Sequence, residues 1–115
     1  MMLAKRQGSW RKVADLIKEP QGAVSFVTVS EFYYHYSPHR SQQGKIIYGQ
    51  LFVLPLEILL LEMPLAELAG RLKADYSLGL ADAFIAATAL HHNLTLVHRD
   101  GDFRQVKEVE QVYLG

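Results

Sequence analysis

The chain reads as an α/β domain, a parallel sheet covered by helices on both faces in three α/β/α layers, and three observations carry that reading. Short apolar, partly β-branched runs alternate with segments of helical period. One helical segment, Leu80 to Leu90, is almost entirely Ala, Leu, Ile or Phe, and a helix apolar on every side has to be buried. Its 115 residues can enclose one core but not two, so a single domain spanning 1–115 is expected.

Taken in order, Ser9 caps a predicted helix over Trp10 to Lys18, where Trp10, Val13, Ala14 and Ile17 share one face, and Pro20, Gln21 and Gly22 end it. Ala23 to Val27 is apolar and bounded by a turn, as a strand buried on both faces would be. Thr28 and Glu31 stand three apart, the spacing of a capping box, at the mouth of the aromatic helix EFYYHY, which Pro38 stops. Ser41 to Phe52 is expected to be a helix with Ile47–Leu51 and Tyr48–Phe52 as i, i+4 pairs, weakened by Gly44 and Gly49. Leu56 to Leu60 follows as a second buried strand. Pro64 suits the first position of a helix striped by Leu65, Leu68, Ala69 and Leu72, and Asp75 to Gly79 is the loop into the buried helix. Asn93 then provides a left-handed stop, LTLV a buried strand, Arg99 to Phe103 a turn, and Val109 to Leu114 a last strand.

Composition excludes several functions. Twelve basic and twelve acidic residues cancel, so no global field attracts a polyanion, and nucleic-acid contact has to rest on local clusters such as Lys5, Arg6, Arg11 and Lys12. Without cysteine there is no disulfide, thiolate–metal or thiol-nucleophile chemistry. The longest apolar stretch, Leu51 to Leu61, is interrupted by Pro55 and Glu57, and the amino terminus lacks the apolar core of a signal peptide. A cytoplasmic protein that spans no membrane is expected.

The chemistry lies in the acids. Parallel strands present their carboxyl ends along one edge, where ligands usually bind. Glu31 follows the first visible strand, Asp82 opens the buried helix, and Asp100 and Asp102 follow LTLV. Converging carboxylates repel one another and lose hydration, so a fold that keeps them points to a cation such as magnesium or manganese, and through it to phosphate chemistry. Each acid also has a structural reading: the capping box for Glu31, the helix dipole for Asp82, a surface turn in RDGD for Asp100 and Asp102. His91 and His92 are adjacent on a helix, point in different directions, and are expected to meet the last helical carbonyls rather than a metal. Phe32, Tyr33, Tyr34 and Tyr36 read as core and interface residues rather than a base-stacking platform. No glycine-rich phosphate loop occurs, and neither Ser30 nor Ser77 has the setting of a nucleophile.

SFVTVSEFYY, RLKADYSLGLADAFIAATAL and LTLVHRDGDF together resemble the successive signatures of the PIN domain, in particular the VapC-type toxin ribonucleases of prokaryotic toxin–antitoxin pairs. The resemblance runs from about Val13 to the carboxyl end, and its most specific part is LADAFIAATAL followed by the RDxDF turn. It implies a magnesium- or manganese-dependent endoribonuclease in which Glu31, Asp82 and Asp100 bind metal and orient the attacking water, with Asp102 as an auxiliary. It also implies a homodimer acting on RNA and held by a cognate antitoxin. The chain departs from the family twice. PIN domains begin with an apolar central strand ending in Asp, of the form LLDTS, whereas MMLAKRQG holds no acid, so the expected fold is amino-terminally truncated and lacks that central strand. The strands around Ala23 and Leu94 would then close on each other or pair across a dimer, since unpaired buried backbone is costly. His98 stands where the family commonly has Thr or Ser. The alternative function is a catalytically inactive relative that serves as an interaction or dimerisation module.

Overall fold

The computed structural model describes residues 2–5 by their backbone and residues 22–115 in full. The helix expected over Trp10 to Lys18 lies outside the described residues. A five-stranded sheet organises the rest, in the order β3-β2-β1-β4-β5. These strands are β1 (Met2–Lys5), β2 (Gly22–Ser25), β3 (Leu56–Leu59), β4 (Leu94–His98) and β5 (Gln111–Tyr113). β2 and β3 run parallel, as do β4 and β5. Two parallel pairs therefore flank the centre, consistent with the α/β class expected from the alternating pattern.

The centre corrects one expectation. β2 and β4 neither close on each other nor wait for a second copy; each pairs with β1, which runs antiparallel to both. Leu3 faces Ala23 on one side and Leu96 on the other. The sequence MLAK thus supplies the backbone partners that its neighbours need, without supplying a carboxylate.

Four helices occur among the described residues: α1 (Phe26–Tyr36), α2 (Gln42–Gln50), α3 (Met63–Asp75) and α4 (Leu80–His91). In α4, Ala83, Ala86, Ala87, Thr88 and Ala89 are wholly buried and Ile85 nearly so, as its composition demands. Thr88 is tolerated there because its hydroxyl donates to the Phe84 carbonyl one turn back, at 2.7 Å. The small side chains let α3 pack closely through Leu65, Ala69 and Leu72, all fully buried, with Leu68 partly buried beside them. Asn93 adopts the expected left-handed conformation, φ 55°, between α4 and β4.

Three local features differ from the sequence reading. β2 stops at Ser25, where its register with β3 ends, and the Ser25 hydroxyl accepts from the Val27 amide at 3.0 Å to cap α1. Ser41 caps α2 at Gly44, and Gly44 is a requirement rather than a weakness: a Cβ there would lie 2.0 Å from the Tyr36 carbonyl oxygen. β3 is an edge strand with Glu57 exposed, not a strand buried on both faces.

Candidate active site

Asp82 occupies the first turn of α4, where the helix dipole favours negative charge. Asp100 follows β4 with only Arg99 between them and caps the 3-10 turn Gly101–Gln105, its Oδ1 accepting from the Asp102 amide at 2.9 Å. Fully buried Phe103 anchors that turn in the core. Gln105 fixes it laterally: its amide nitrogen donates to the carbonyls of Asp102 (2.9 Å) and Ser77 (3.1 Å), and its oxygen accepts from the Ser77 amide (3.0 Å). The loop that launches α4 and the turn that carries Asp102 are thereby tied together by one side chain. Nothing local in the sequence marks Gln105 as the tie to the α4 loop, because its partner there, Ser77, lies 28 residues away.

Carboxylate oxygens of Asp82, Asp100 and Asp102, one from each, all lie within 4.8 Å of one another. Burial pushes the Asp82 carboxyl above the ordinary carboxylate range, and the negative charges of Asp100, Glu31 and Asp102 push it further. Glu31 is thus close enough for its charge to be felt at Asp82, yet it stands exposed on α1, outside the tight trio. Beside it opens a groove of about 660 Å³ whose wall includes Val27, Thr28, Glu31, Phe32, His35 and Ala81.

The trio fits an oxygen-ligated divalent cation. Magnesium–oxygen bonds of about 2.1 Å place neighbouring donors about 3 Å apart and opposite donors about 4.2 Å apart, so small side-chain rotations bring three oxygens within 4.8 Å onto one ion. The donor set is all carboxylate, the chemistry that hard cations select. The Asp82 pKa is raised first by burial and then by the neighbouring carboxylates, and a cation would offset both.

Several side chains take roles other than those expected. Since Ser25 caps α1, Glu31 lies beyond the first turn and the capping box is not formed; Thr28 sits inside the helix with its hydroxyl buried and without a hydrogen-bond partner. Asp100 does make the turn that RDGD suggests, but it joins the cluster as well. His98 is a core residue, 2 % exposed, its Nε2 2.8 Å from Gln111 Oε1 and its ring packed near Phe103. His91 and His92 do not reach the helical carbonyls with their rings; they converge on Glu62 at the opposite end of α4.

The family model of the PIN domain matches residues 3–109, beginning ten residues earlier than the resemblance read from the motifs. No curated protein matches significantly. Among solved structures, a toxin–antitoxin complex from Klebsiella pneumoniae is 28% identical with a TM-score of 0.62, the match covering 88% of this chain and 83% of that one. VapBC2 from Rickettsia felis, bound to a DNA fragment from its promoter, matches at 22% identity and TM-score 0.66 over 79% and 73% of the two chains. VapBC-1 from nontypeable Haemophilus influenzae matches at 19% and 0.67 over 79% and 72%.

Proposed function

Because the chain belongs to the PIN domain family, we propose that it is a divalent-metal-dependent endoribonuclease, the toxin of a toxin–antitoxin pair. The observation that carries this reading is the convergence of Asp82, Asp100 and Asp102 from two separate elements onto one partly desolvated point. Among the described residues no basic side chain pairs with these carboxylates, the arrangement expected of a cation site.

A magnesium or manganese ion held by these three residues would neutralise charge on the scissile phosphate and lower the pKa of a bound water. The side chains divide the remaining work. Asp100 is held by its cap and Asp102 by Gln105, so these two donors keep their spacing while Asp82 approaches from α4. Glu31, exposed and outside the trio, is the group positioned to accept a hydrogen bond from the attacking water and hold its lone pair toward phosphorus. In the hydrolysis the water oxygen bonds to phosphorus, the bond to the leaving ribose oxygen breaks, and that oxygen takes up a proton.

The groove beside Glu31, walled by Phe32, His35 and Ala81, is suited to an antitoxin segment with apolar and cationic side chains. The similar structures are themselves toxin–antitoxin complexes, which supports such a partner. The homodimer implied by the family is part of the same proposal, with the strongly exposed Tyr34 (86 %) as an available contact.

One observation favours a second reading. The strand at the centre of the sheet, MLAK, brings no acid to the site, so an inactive relative that retains only binding is the alternative. Incubation with single-stranded RNA and manganese, beside an Asp82→Asn control, separates the two. The proposal predicts cleavage that the substitution abolishes; no cleavage by the wild-type protein, or cleavage that survives the substitution, contradicts it.

A further inference from the structure

α4 carries a second cluster at its other end. Asp82 lies in its first turn and His91 closes it, about 13 Å away along the axis at 1.5 Å per residue. There Glu62, His91 and His92 each direct one potential ligand atom to within 4.8 Å of the others. His91 Nε2 is 3.6 Å from Glu62 Oε2, and the two imidazoles lie edge to face with centroids 5.0 Å apart.

Two further features of these residues need an explanation. Glu62 is the N-cap residue of α3 but makes no capping hydrogen bond there, and its carboxylate lies against His91 instead. His92 has its Nε2 buried with no hydrogen-bond partner, a condition that costs a protein stability unless some ligand answers the ring. A surface ion pair between Glu62 and His91 would account for two residues and leave the third unexplained, and such exposed pairs contribute little.

Two imidazoles and a carboxylate are the donors of zinc sites that keep one coordination position open. Zinc–ligand bonds of about 2.1 Å place tetrahedral donors about 3.4 Å apart, close to the observed 3.6 Å between His91 and Glu62. Both histidines sit at the carboxyl end of α4, where the helix dipole favours a cation. We propose that Glu62, His91 and His92 form a second metal site, taking zinc or a similar borderline divalent ion and stapling the start of α3 to the end of α4. It differs from the carboxylate trio in chemistry as well as place, since imidazole donors disfavour magnesium.

The test uses the full chain carrying Asp82→Asn and Asp100→Asn, which silence the trio, titrated calorimetrically with zinc in excess magnesium. One zinc is expected to bind per chain, His92→Ala is expected to weaken it about tenfold or more, and Glu62→Gln to weaken it measurably while circular dichroism confirms folding. Cobalt in place of zinc should give the intense visible bands of tetrahedral coordination, lost in His91→Ala. No zinc binding in the trio-silenced protein, or binding indifferent to both the His92 and Glu62 substitutions, overturns the proposal. Should His92→Ala fail to fold, Glu62→Gln and the cobalt spectrum still decide it, because Glu62 is exposed and the spectrum reads the ligands directly.

Discussion

Two acidic centres in this protein are treated in opposite ways. Glu108 is fully answered: Arg71 Nη2 donates to one oxygen at 2.7 Å and the Tyr76 hydroxyl to the other at 2.6 Å. The hydroxyl is so committed that its pKa is raised, chiefly by the hydrogen bond to Glu108. Asp82 meets the reverse. Burial is the largest penalty on its charge, and Asp100, Glu31 and Asp102, all of its own sign, add to it. A fold able to place an arginine and a tyrosine around one carboxylate leaves three others to face one another. The difference sets Glu108 apart as a carboxylate paired within the fold, whereas the trio is the group we propose to hold a cation.

Substitutions sharpen that contrast, beginning with the largest effect. Asp82→Asn should lower metal-dependent RNA cleavage at least about a hundredfold, since even the outer partners of metal ligands are worth about 10- to 100-fold; Glu108→Gln should leave cleavage nearly unchanged. Gln105→Ala, which frees the Asp102 turn from the Ser77 loop, should cost about tenfold in cleavage while circular dichroism shows the fold retained.

Stability should move the other way. Asp82→Asn removes repulsion and is expected to stabilise the metal-free protein by about 0.5–2 kcal/mol in urea unfolding. The smallest effect is expected for Arg71→Ala, a loss within about 1 kcal/mol because the Arg71–Glu108 pair is solvent-exposed. If the two substitutions changed stability in the same direction, the contrast between the centres would be lost.

Much of the site could be read in the sequence because it follows from periodicity. The alanine-rich run around Ala83 and Ala86 required a buried helix, Asn93 required a left-handed stop, and the parallel logic of β2/β3 and β4/β5 set Asp82 beside Asp100 and Asp102. What escaped depends on contacts between distant residues. Ser25 and Thr28 are equally good caps by local chemistry, and only the end of the β2–β3 register chooses Ser25. Gly44 resembles a helix breaker until the Tyr36 carbonyl appears against it. MLAK is too short and unpatterned to be read as a central strand, and its role comes from Ala23 and Leu96 on either side of Leu3. The meeting of His91 and His92 with Glu62 belongs to the same class, since the α3–α4 packing brings together residues that the sequence keeps far apart.

The sign of the pH dependence follows from the raised Asp82 pKa. The protonated carboxyl suits the folded state, so its contribution is complete below the ordinary carboxylate range and is lost as pH rises through the elevated value. A cation on the trio should cancel that loss. The most direct measurement is therefore the unfolding free energy of the wild-type protein across that pH window, with and without manganese, repeated for Asp82→Asn. Our account predicts a decline with rising pH that manganese abolishes in the wild type, and a weaker decline with little response to manganese in the variant. Equal manganese responses in both proteins would contradict it.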